Sequence, residues 1–252
     1  MPISGAMLQG LSGAGLAKPP GPAHGARMSR FRTIAFDLDG TLVDTARDIA
    51  AALNHALAGL GRATLPLDAV RGMVGHGGRV LLQRGLAATG DVDDATLAEG
   101  FAAFIRYYEA HVCVHSRPYA GVTEALDTLR AQGVALAVCT NKPERLARGV
   151  IDALGWRDHF AAIVGGDTLA TTKPDPAMLH RAIDQAGGGP AALVGDSIID
   201  VQTAHAAGIP CIAVSFGFAD RPADQLGADA VIDQFDALLP ALTRLQQPTT
   251  SA

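Results

Sequence analysis

The sequence lacks several features that mark particular classes of protein. Only three of its 252 residues are cysteine, and Cys113, Cys139 and Cys211 lie far apart. An odd number of cysteines without a C-x-x-C pair argues against a disulfide framework and against a zinc ribbon. We therefore expect buried thiols in a protein of the reducing cytoplasm.

Long apolar runs and clustered cations are also missing. No uninterrupted apolar run reaches the ~18 residues of a membrane span. The formal net charge is −5, and a broad nucleic-acid surface would need clustered cations. Neither a membrane nor a nucleic acid is therefore an expected partner. Lysine is rare, since only three of the 20 Lys and Arg residues are lysine.

Both chain ends have an atypical composition. Residues 1–27 hold six glycines and four prolines but no acidic residue. Glycines interrupt their apolar residues, unlike the apolar core of a secretory signal. We expect residues 1–28 to form a disordered extension, with Met28 as an alternative start, and residues 246–252 to form a disordered tail.

Short apolar runs that end in an acid, a hydroxyl or a glycine predict buried parallel strands. They span residues 33–37, 134–140, 161–165, 191–196, 209–215 and, more weakly, 229–233. Helical patterns separate them, such as the one that Pro143 opens and Gly155 closes. The alternation predicts an α/β fold with a doubly wound, mostly parallel, Rossmann-like sheet. Ligands bind such sheets at the edge where the strands end.

The strand pattern disappears between Asp44 and Pro118. Thr45–Asp48 and Thr96–Glu99 match the spacing of capping boxes, and apolar residues at helical spacing follow each of them. We predict an all-helical cap domain at residues 45–117, inserted after the first strand of a core domain that comprises residues 29–44 and 118–245. A unit hinged at both ends can act as a lid.

Two acids follow the first predicted strand. Asp37 and Asp39 are separated by one residue, so both can project toward one side, and Gly40 permits a sharp turn after them. Two carboxylates at the end of a strand can hold a hard divalent cation such as Mg²⁺. The alternative is an ordinary turn, in which Asp and Gly are common.

Other strand ends carry polar groups of the same kind. Asp196 ends a strand and Asp200 lies one helical turn later, which would gather four carboxylates at one edge. Thr140 and its neighbouring backbone could bind phosphoryl oxygens, or could cap the next helix. Lys173 is a compact ammonium in a chain that otherwise uses arginine, and it suits a crowded pocket.

These residues together resemble a known family. The motifs DLDGT at 37–41, Thr140-Asn141, Lys173-Pro174 and GDSxxD at 195–200 resemble the four motifs of haloacid-dehalogenase-like phosphohydrolases, in the same order. The phrases CTNKPE, KPDP and GDSIIDVQTAHAAGIP are similar to those of the bacterial phosphoglycolate phosphatases within that family. Ile199 departs from the family, in which Asn is common at this position.

The resemblance implies a mechanism for a phosphoric monoester hydrolase. Asp37 would be the nucleophile and Asp39 the general acid and base. Mg²⁺ would be held by Asp37, by the backbone carbonyl of Asp39 and by Asp196, with Asp200 in support. The phosphoryl oxygens would be bound by Thr140, the Asn141 backbone and Lys173.

The resemblance also implies a small phosphorylated metabolite as the substrate, 2-phosphoglycolate first, in a cytoplasmic salvage step that yields glycolate. Other phosphatase substrates, such as N-acetylmuramate 6-phosphate or a nucleotide, stay open at this point. A phosphomutase and a non-catalytic phospholigand sensor are further alternatives, and the chain is expected to be a monomer or a homodimer.

A glycine-rich segment of the predicted cap has two interpretations. Gly75, His76, Gly77 and Arg79 could bind the substrate's carboxylate, because backbone N–H groups at a helix start attract anions. Alternatively, the glycines serve only a tight turn between helices. On the first interpretation, Arg79→Ala raises KM for phosphoglycolate far more than for a neutral ester.

Overall fold

The computed structural model describes residues 31–219 and 221–245. The extension predicted at 1–28 and the tail predicted at 246–252 lie outside these residues. The strands are β1 (Thr33–Phe36), β2 (Val43–Asp44), β3 (Arg117–Pro118), β4 (Ala135–Cys139), β5 (Ala162–Val164), β6 (Ala191–Gly195), β7 (Cys211–Val214) and β8 (Ala230–Ile232). The α-helices are α1 (Ala46–Gly59), α2 (Leu67–Arg71), α3 (Gly78–Ala87), α4 (Asp94–Ala110), α5 (Val122–Ala131), α6 (Glu144–Ala153), α7 (Ala177–Gln185), α8 (Ile198–Ala206) and α9 (Leu238–Leu245).

Six of the strands form one parallel sheet in the order β5-β4-β1-β6-β7-β8. Each lies inside one of the six apolar runs, which confirms the predicted doubly wound α/β fold. In the centre of the sheet, Ile34 of β1 is in register with Leu136 of β4 and Ala192 of β6.

Apolar side chains cover both faces of the sheet. Ile34 and Phe36 join one buried cluster with Leu126 of α5, whereas Ala35 joins a second cluster with Leu179 of α7. Successive residues of a strand point to opposite faces, so a strand covered on both faces needs apolar residues at every position. This explains why the runs are continuous rather than alternating.

The strand order places the candidate site. After β1 and the helical insert, the chain forms β4 and β5 on one side of β1, and then β6 to β8 on the other side. Ligands bind in the crevice beyond such a reversal. The residues that follow β1, β4 and β6 are Asp37, Thr140 and Asp196.

Helices α1 to α4 form an insert between β2 and β3, with an apolar cluster of their own. The two short strands pair in an antiparallel arrangement, in which Val43 lies opposite Pro118 and Asp44 opposite Arg117. The sequence pattern indicated neither strand, because two residues are too few for a periodicity. This pair is where the insert joins the sheet.

The capping box predicted at Thr45–Asp48 is wrong. Thr45 precedes α1, but its hydroxyl donates to the Asp39 carboxylate at 2.7 Å instead of capping the helix. The buried Asp48 carboxylate accepts from the backbone N–H groups of His115 and Ser116 at 2.8–3.0 Å. Partners that are distant in sequence outcompete the local ones at both positions.

The second predicted box, at Thr96–Glu99, is also wrong, because α4 begins earlier. Its first residue is Asp94, and the Asp93 side chain accepts from the Thr96 backbone N–H at 2.8 Å. Asp is as good a cap as Thr, so the earlier acid takes this role and Thr96 lies inside the first turn.

Candidate active site

The first strand leads directly into the site. Asp37 follows β1, and its backbone N–H donates to the Val194 carbonyl oxygen of β6 at 2.9 Å. Its carboxylate accepts from the Leu38 N–H at 2.7 Å. Gly40 has a φ of +84°, and a Cβ at this position would lie 2.3 Å from a carboxylate oxygen of Asp196. Glycine is therefore required for this turn, both by its backbone angle and by the close approach.

Three buried carboxylates meet at the edge of the sheet. Asp37, Asp196 and Asp200 each offer an oxygen, and these oxygens lie within 4.8 Å of one another. Asp200 is in the first turn of α8, so the spacing from the strand end brings it to the same place as Asp196. The Lys173 ammonium lies 2.6 Å from Asp200 Oδ1 and 3.2 Å from Asp37 Oδ1.

Burial and mutual repulsion perturb these groups. Burial raises the pKa of Asp37 to about 6, with Lys173 opposing the shift and Asp200 adding to it. Burial also raises the pKa of Asp196 well above its ordinary value, and the charges of Asp200 and Asp37 add to this. Burial alone would lower the pKa of Lys173, but the Asp200 and Asp37 carboxylates outweigh it and raise that pKa. One ammonium thus does not compensate three carboxylates.

The cluster fits a hard divalent cation such as Mg²⁺. Carboxylate oxygens are the ligands that Mg²⁺ prefers, and buried like charges need compensation. Asp200 already accepts from Lys173 and, at 2.6 Å, from the Ser197 hydroxyl. Asp196 likewise accepts from the Phe218 backbone N–H at 2.6 Å and from the Thr41 hydroxyl at 3.3 Å. All three carboxylates are therefore candidate ligands or supports of the ion.

The side chain of Asp39 lies outside this cluster. It lines the same cavity as Asp37, so it lies at the same edge of the sheet as the three clustered carboxylates. Asp39 accepts from the Thr45 hydroxyl at 2.7 Å and from the Lys142 ammonium at 3.0 and 3.2 Å. Thr45, which precedes α1 of the insert, and Lys142, which follows β4 of the sheet, together account for this orientation.

Thr140 and Asn141 have different contacts. The Thr140 hydroxyl hydrogen-bonds to Asp37, which opposes part of the rise in the pKa of that carboxyl. The Asn141 side chain accepts from the Lys173 backbone N–H at 2.9 Å and donates to the carbonyls of Lys173 and Gly75 at 3.2 and 3.1 Å. It ties the Lys173 loop to the insert, so only the backbone of Asn141 is available to a ligand.

Sequence reasoning missed Lys142. Its ammonium donates to Asp39 and, at 2.5 Å, to the Tyr108 hydroxyl of α4, and the residue is only 5% exposed. Lys142 and Lys173 are the lysines of the described ranges, and both lie in this site. The scarcity of lysine that drew attention to Lys173 was an equally good signal for Lys142.

A small cavity lies between the sheet edge and the insert. Its volume is about 40 Å³, which is room for only about three water molecules. Polar groups at the sheet side include Asp37, Asp39 and Thr140, and Tyr108 and Lys142 add two more. The remaining lining is mostly apolar or glycine and consists of Ile49, Val74, Gly75, Gly77, Gly78, Leu81, Phe104, Asn141, Pro143 and Leu146.

The glycine-rich segment contributes backbone to this cavity. Gly77 has a φ of +88°, and a Cβ there would lie 3.3 Å from the Asn141 carbonyl oxygen. His76 and Arg79 are exposed and are not among the residues that line the cavity. The close approach of Gly77 to the sheet domain explains the need for glycine without a bound anion.

A family model described as haloacid dehalogenase-like hydrolase matches residues 34–214, which include every site residue named above. The chain belongs to this family. Within the haloacid dehalogenase-like hydrolases it is a phosphoric monoester hydrolase, since a phosphoglycolate phosphatase from Agrobacterium fabrum is 45% identical over 82% of this chain and 90% of its own length.

Two solved structures share the fold of this haloacid dehalogenase-like hydrolase. A predicted phosphoglycolate phosphatase from Haemophilus somnus is 32% identical, with a TM-score of 0.80, over 84% of this chain and 98% of its own. CbbY from Rhodobacter sphaeroides, solved in complex with phosphate, is 25% identical, with a TM-score of 0.73, over 84% of this chain and 99% of its own. In the described ranges of our chain, no helix has the length and apolarity to cross a membrane.

Proposed function

We propose that the chain hydrolyses 2-phosphoglycolate to glycolate and inorganic phosphate, with Mg²⁺ as cofactor and a phosphorylated Asp37 as intermediate. The observation that carries this proposal is the separate placement of Asp37 and Asp39. Both line the cavity, but Asp37 lies beside the Lys173 ammonium and the Thr140 hydroxyl, which can bind phosphoryl oxygens, whereas Asp39 contacts Thr45 and Lys142. The named phosphatase relatives support the choice of substrate.

In the first step, a carboxylate oxygen of Asp37 attacks phosphorus. The bond from phosphorus to the glycolate oxygen breaks, and Asp39, which begins this step in its protonated form, gives its proton to that oxygen and becomes the carboxylate that Lys142 and Thr45 contact. Thr140 and Lys173 lie beside Asp37, where they can bind the phosphoryl oxygens as the charge shifts between them. Expulsion of an alkoxide needs this proton, which distinguishes ester hydrolysis from dehalogenation.

In the second step, water attacks the phosphorylated Asp37. Asp39 takes the proton of that water, the bond from phosphorus to the Asp37 oxygen breaks, and phosphate leaves. Thr45 and Lys142 hold Asp39 in its position for both proton transfers. Asp37, Asp196 and the Asp39 carbonyl would hold Mg²⁺, with Asp200 in support, and the ion when bound neutralises phosphoryl charge.

Steady-state phosphate release with Mg²⁺ across a panel of small phosphorylated metabolites tests the proposal. We expect the highest kcat/KM for 2-phosphoglycolate and no turnover with a chelator present. A nucleotide and N-acetylmuramate 6-phosphate are the alternative substrates in this panel. A higher kcat/KM for either of these, or transfer of phosphate between substrates without net release, would overturn it.

Asp37→Asn separates catalysis from folding. The amide keeps the shape of the side chain but is not a nucleophile, so we expect no turnover with an unchanged circular dichroism spectrum. Exposed Asp94 on α4 offers a control, and Asp94→Asn keeps full activity. Turnover by pure Asp37→Asn protein would exclude Asp37 as the nucleophile.

A further inference from the structure

The cavity holds one ammonium group in a mostly apolar wall. Among the described residues that line it, Lys142 is the single cation, and its neighbours include Ile49, Leu81 and Phe104. Burying an ammonium in such surroundings is unfavourable unless an anion accompanies it. Asp39 supplies one negative charge, at 3.0 Å from the Lys142 nitrogen.

Lys142 is placed where a second anion would arrive with the substrate. A general acid must lie about 2.6–3.2 Å from the oxygen that it protonates. Asp39 is within that distance of Lys142 as well, so a leaving oxygen that Asp39 protonates would lie near the ammonium too. In 2-phosphoglycolate a single CH₂ group separates the leaving oxygen from the carboxylate. The carboxylate is therefore close enough to contact this ammonium when the leaving oxygen contacts Asp39.

Resting on the proposed function, we propose that Lys142 is a specificity-determining residue, whose ammonium binds the carboxylate of the substrate. The bound carboxylate shares the ammonium with Asp39, and selects an acid over a neutral alcohol as the leaving group. A neutral ester of the same size leaves this ammonium with Asp39 as its one anionic partner.

Tyr108 completes the recognition from the insert. Its hydroxyl accepts from Lys142 at 2.5 Å, and the ammonium also lies 4.3 Å from the centre of its ring. Burial raises the pKa of Tyr108 well above its ordinary value, so its phenol keeps a proton that it can donate to an anion. The substrate carboxylate would thus contact both the sheet domain and the insert.

Arg79 is the competing candidate for the same role. It is exposed and is not part of the cavity lining, whereas Lys142 is buried within it. A buried charge acts in a lower effective dielectric than an exposed one, so its preference for an anion is stronger. The structure therefore favours Lys142 over Arg79.

The test compares 2-phosphoglycolate with ethyl phosphate, in which a methyl group replaces the carboxylate. The quantity measured is the ratio of the two kcat/KM values. We expect Lys142→Met to lower this ratio about 30-fold, in line with the loss of one charged hydrogen bond, and Lys142→Arg to retain most of it. The exposed α4 residue Arg106 gives the matched control, and Arg106→Met should leave the ratio unchanged.

The same experiment distinguishes the other outcomes. If Lys142→Met slows both substrates equally, Lys142 only positions Asp39 and the proposal is overturned. If Arg79→Ala is the variant that lowers the ratio, the glycine-rich segment binds the substrate carboxylate and the proposal is overturned too. A wild-type ratio below one contradicts the proposed function itself, before any variant is considered.

A second variant and a second measurement keep the proposal testable if Lys142→Met misfolds. Lys142→Gln is neutral but polar and of similar length, and it repeats the comparison if Lys142→Met does not fold. Binding of 2-phosphoglycolate to inert Asp37→Asn protein, measured by calorimetry, should weaken about 30-fold when Lys142→Gln is added. Equal affinity with and without Lys142→Gln would refute carboxylate binding at this residue.

Discussion

Glycine residues pack against the clustered carboxylates. A Cβ at Gly217 would lie 2.3 Å from the Asp196 Cβ and 2.6 Å from the Gly40 carbonyl oxygen. A Cβ at Gly195 would lie 2.3 Å from the Asp200 Cβ. The acids can therefore approach one another only because the surrounding backbone has no side chains, and the geometry of the site depends on residues that carry no chemistry.

Substitution at Gly217 should disturb the ion site without touching an acid. Gly217→Ala displaces Asp196, so we expect the Mg²⁺ concentration for half-maximal activity to rise at least about tenfold. Gly59, in the last turn of α1, has open space around it, and Gly59→Ala should leave that concentration unchanged. A Mg²⁺ titration of phosphate release checks both, and an unchanged Gly217→Ala titration would count against close packing of Asp196.

The raised pKa of Asp37 makes a prediction about stability in the absence of metal. With a pKa of about 6 in the folded chain and 3.8 as its ordinary value, the folded state binds the proton more tightly. Stability from this group is present below about pH 4 and is lost as the pH rises through 6. Asp37→Asn lacks this loss, so at pH 7.5 with chelator it should have a Tm several degrees above wild type.

Calorimetric scans at pH 4 and pH 7.5 measure this difference. The gap in Tm between Asp37→Asn and wild type should be wider at pH 7.5, and added Mg²⁺ should raise the wild-type Tm more than the variant's. A variant that is less stable than wild type at pH 7.5 would show that the Lys173 contact outweighs repulsion among the acids.

At the scale of elements, the pattern of apolar runs was sufficient to predict the strands of the sheet. It was insufficient to predict how the segments between those strands pair. All six runs contain strands, because burial on both faces leaves a strong local signature. Asp37 and Asp196 could be grouped in advance, since parallel strands end at one edge, and the scarcity of lysine indicated Lys173. The orientation of Asp39, the β2–β3 pair and the role of Lys142 depend on contacts between distant segments, which no local pattern encodes.

Asp48 offers a test of one such distant contact. Its buried carboxylate accepts from two backbone N–H groups, of His115 and Ser116, and from the Ser116 hydroxyl at 2.6 Å. Asp48→Ala leaves these donors unpaired, so we expect the free energy of unfolding to fall by about 2–4 kcal/mol. Asp94→Ala, at an exposed position of α4, should change it by less than about 0.5 kcal/mol in urea unfolding. A comparable value for both variants would mean that solvent replaces these hydrogen bonds.

On the scale of the whole molecule, the insert is seated on the sheet domain by apolar and polar contacts. Leu146 of α6 joins the apolar cluster of the insert, Asn141 donates to the Gly75 carbonyl, and Lys142 donates to Tyr108. The remaining space of about 40 Å³ is smaller than a phosphorylated metabolite, so a substrate can enter only if the insert moves away from the sheet domain.

The reactivity of the cysteine thiols measures how far the native molecule exposes its interior. Cys139 and Cys211 are buried, and burial raises the pKa of Cys139 to about 12 and that of Cys211 well above its ordinary value. The thiolate is the reactive form, so at pH 8 a disulfide reagent should react at most with the partly exposed Cys113. Three thiols should react after denaturation, and more than one fast thiol in the native protein would contradict the described burial.

The burial of Lys142 and Lys173 also leaves the described part of the chain without a surface amine. Acylating reagents and lysine-directed cross-linkers would find no exposed lysine in residues 31–219 and 221–245. Acylation of Lys142 would require the insert to part from the sheet. The rate of Lys142 acylation, followed by mass spectrometry, would then measure how often the insert separates from the sheet. A ligand that fills the cavity would lower this rate.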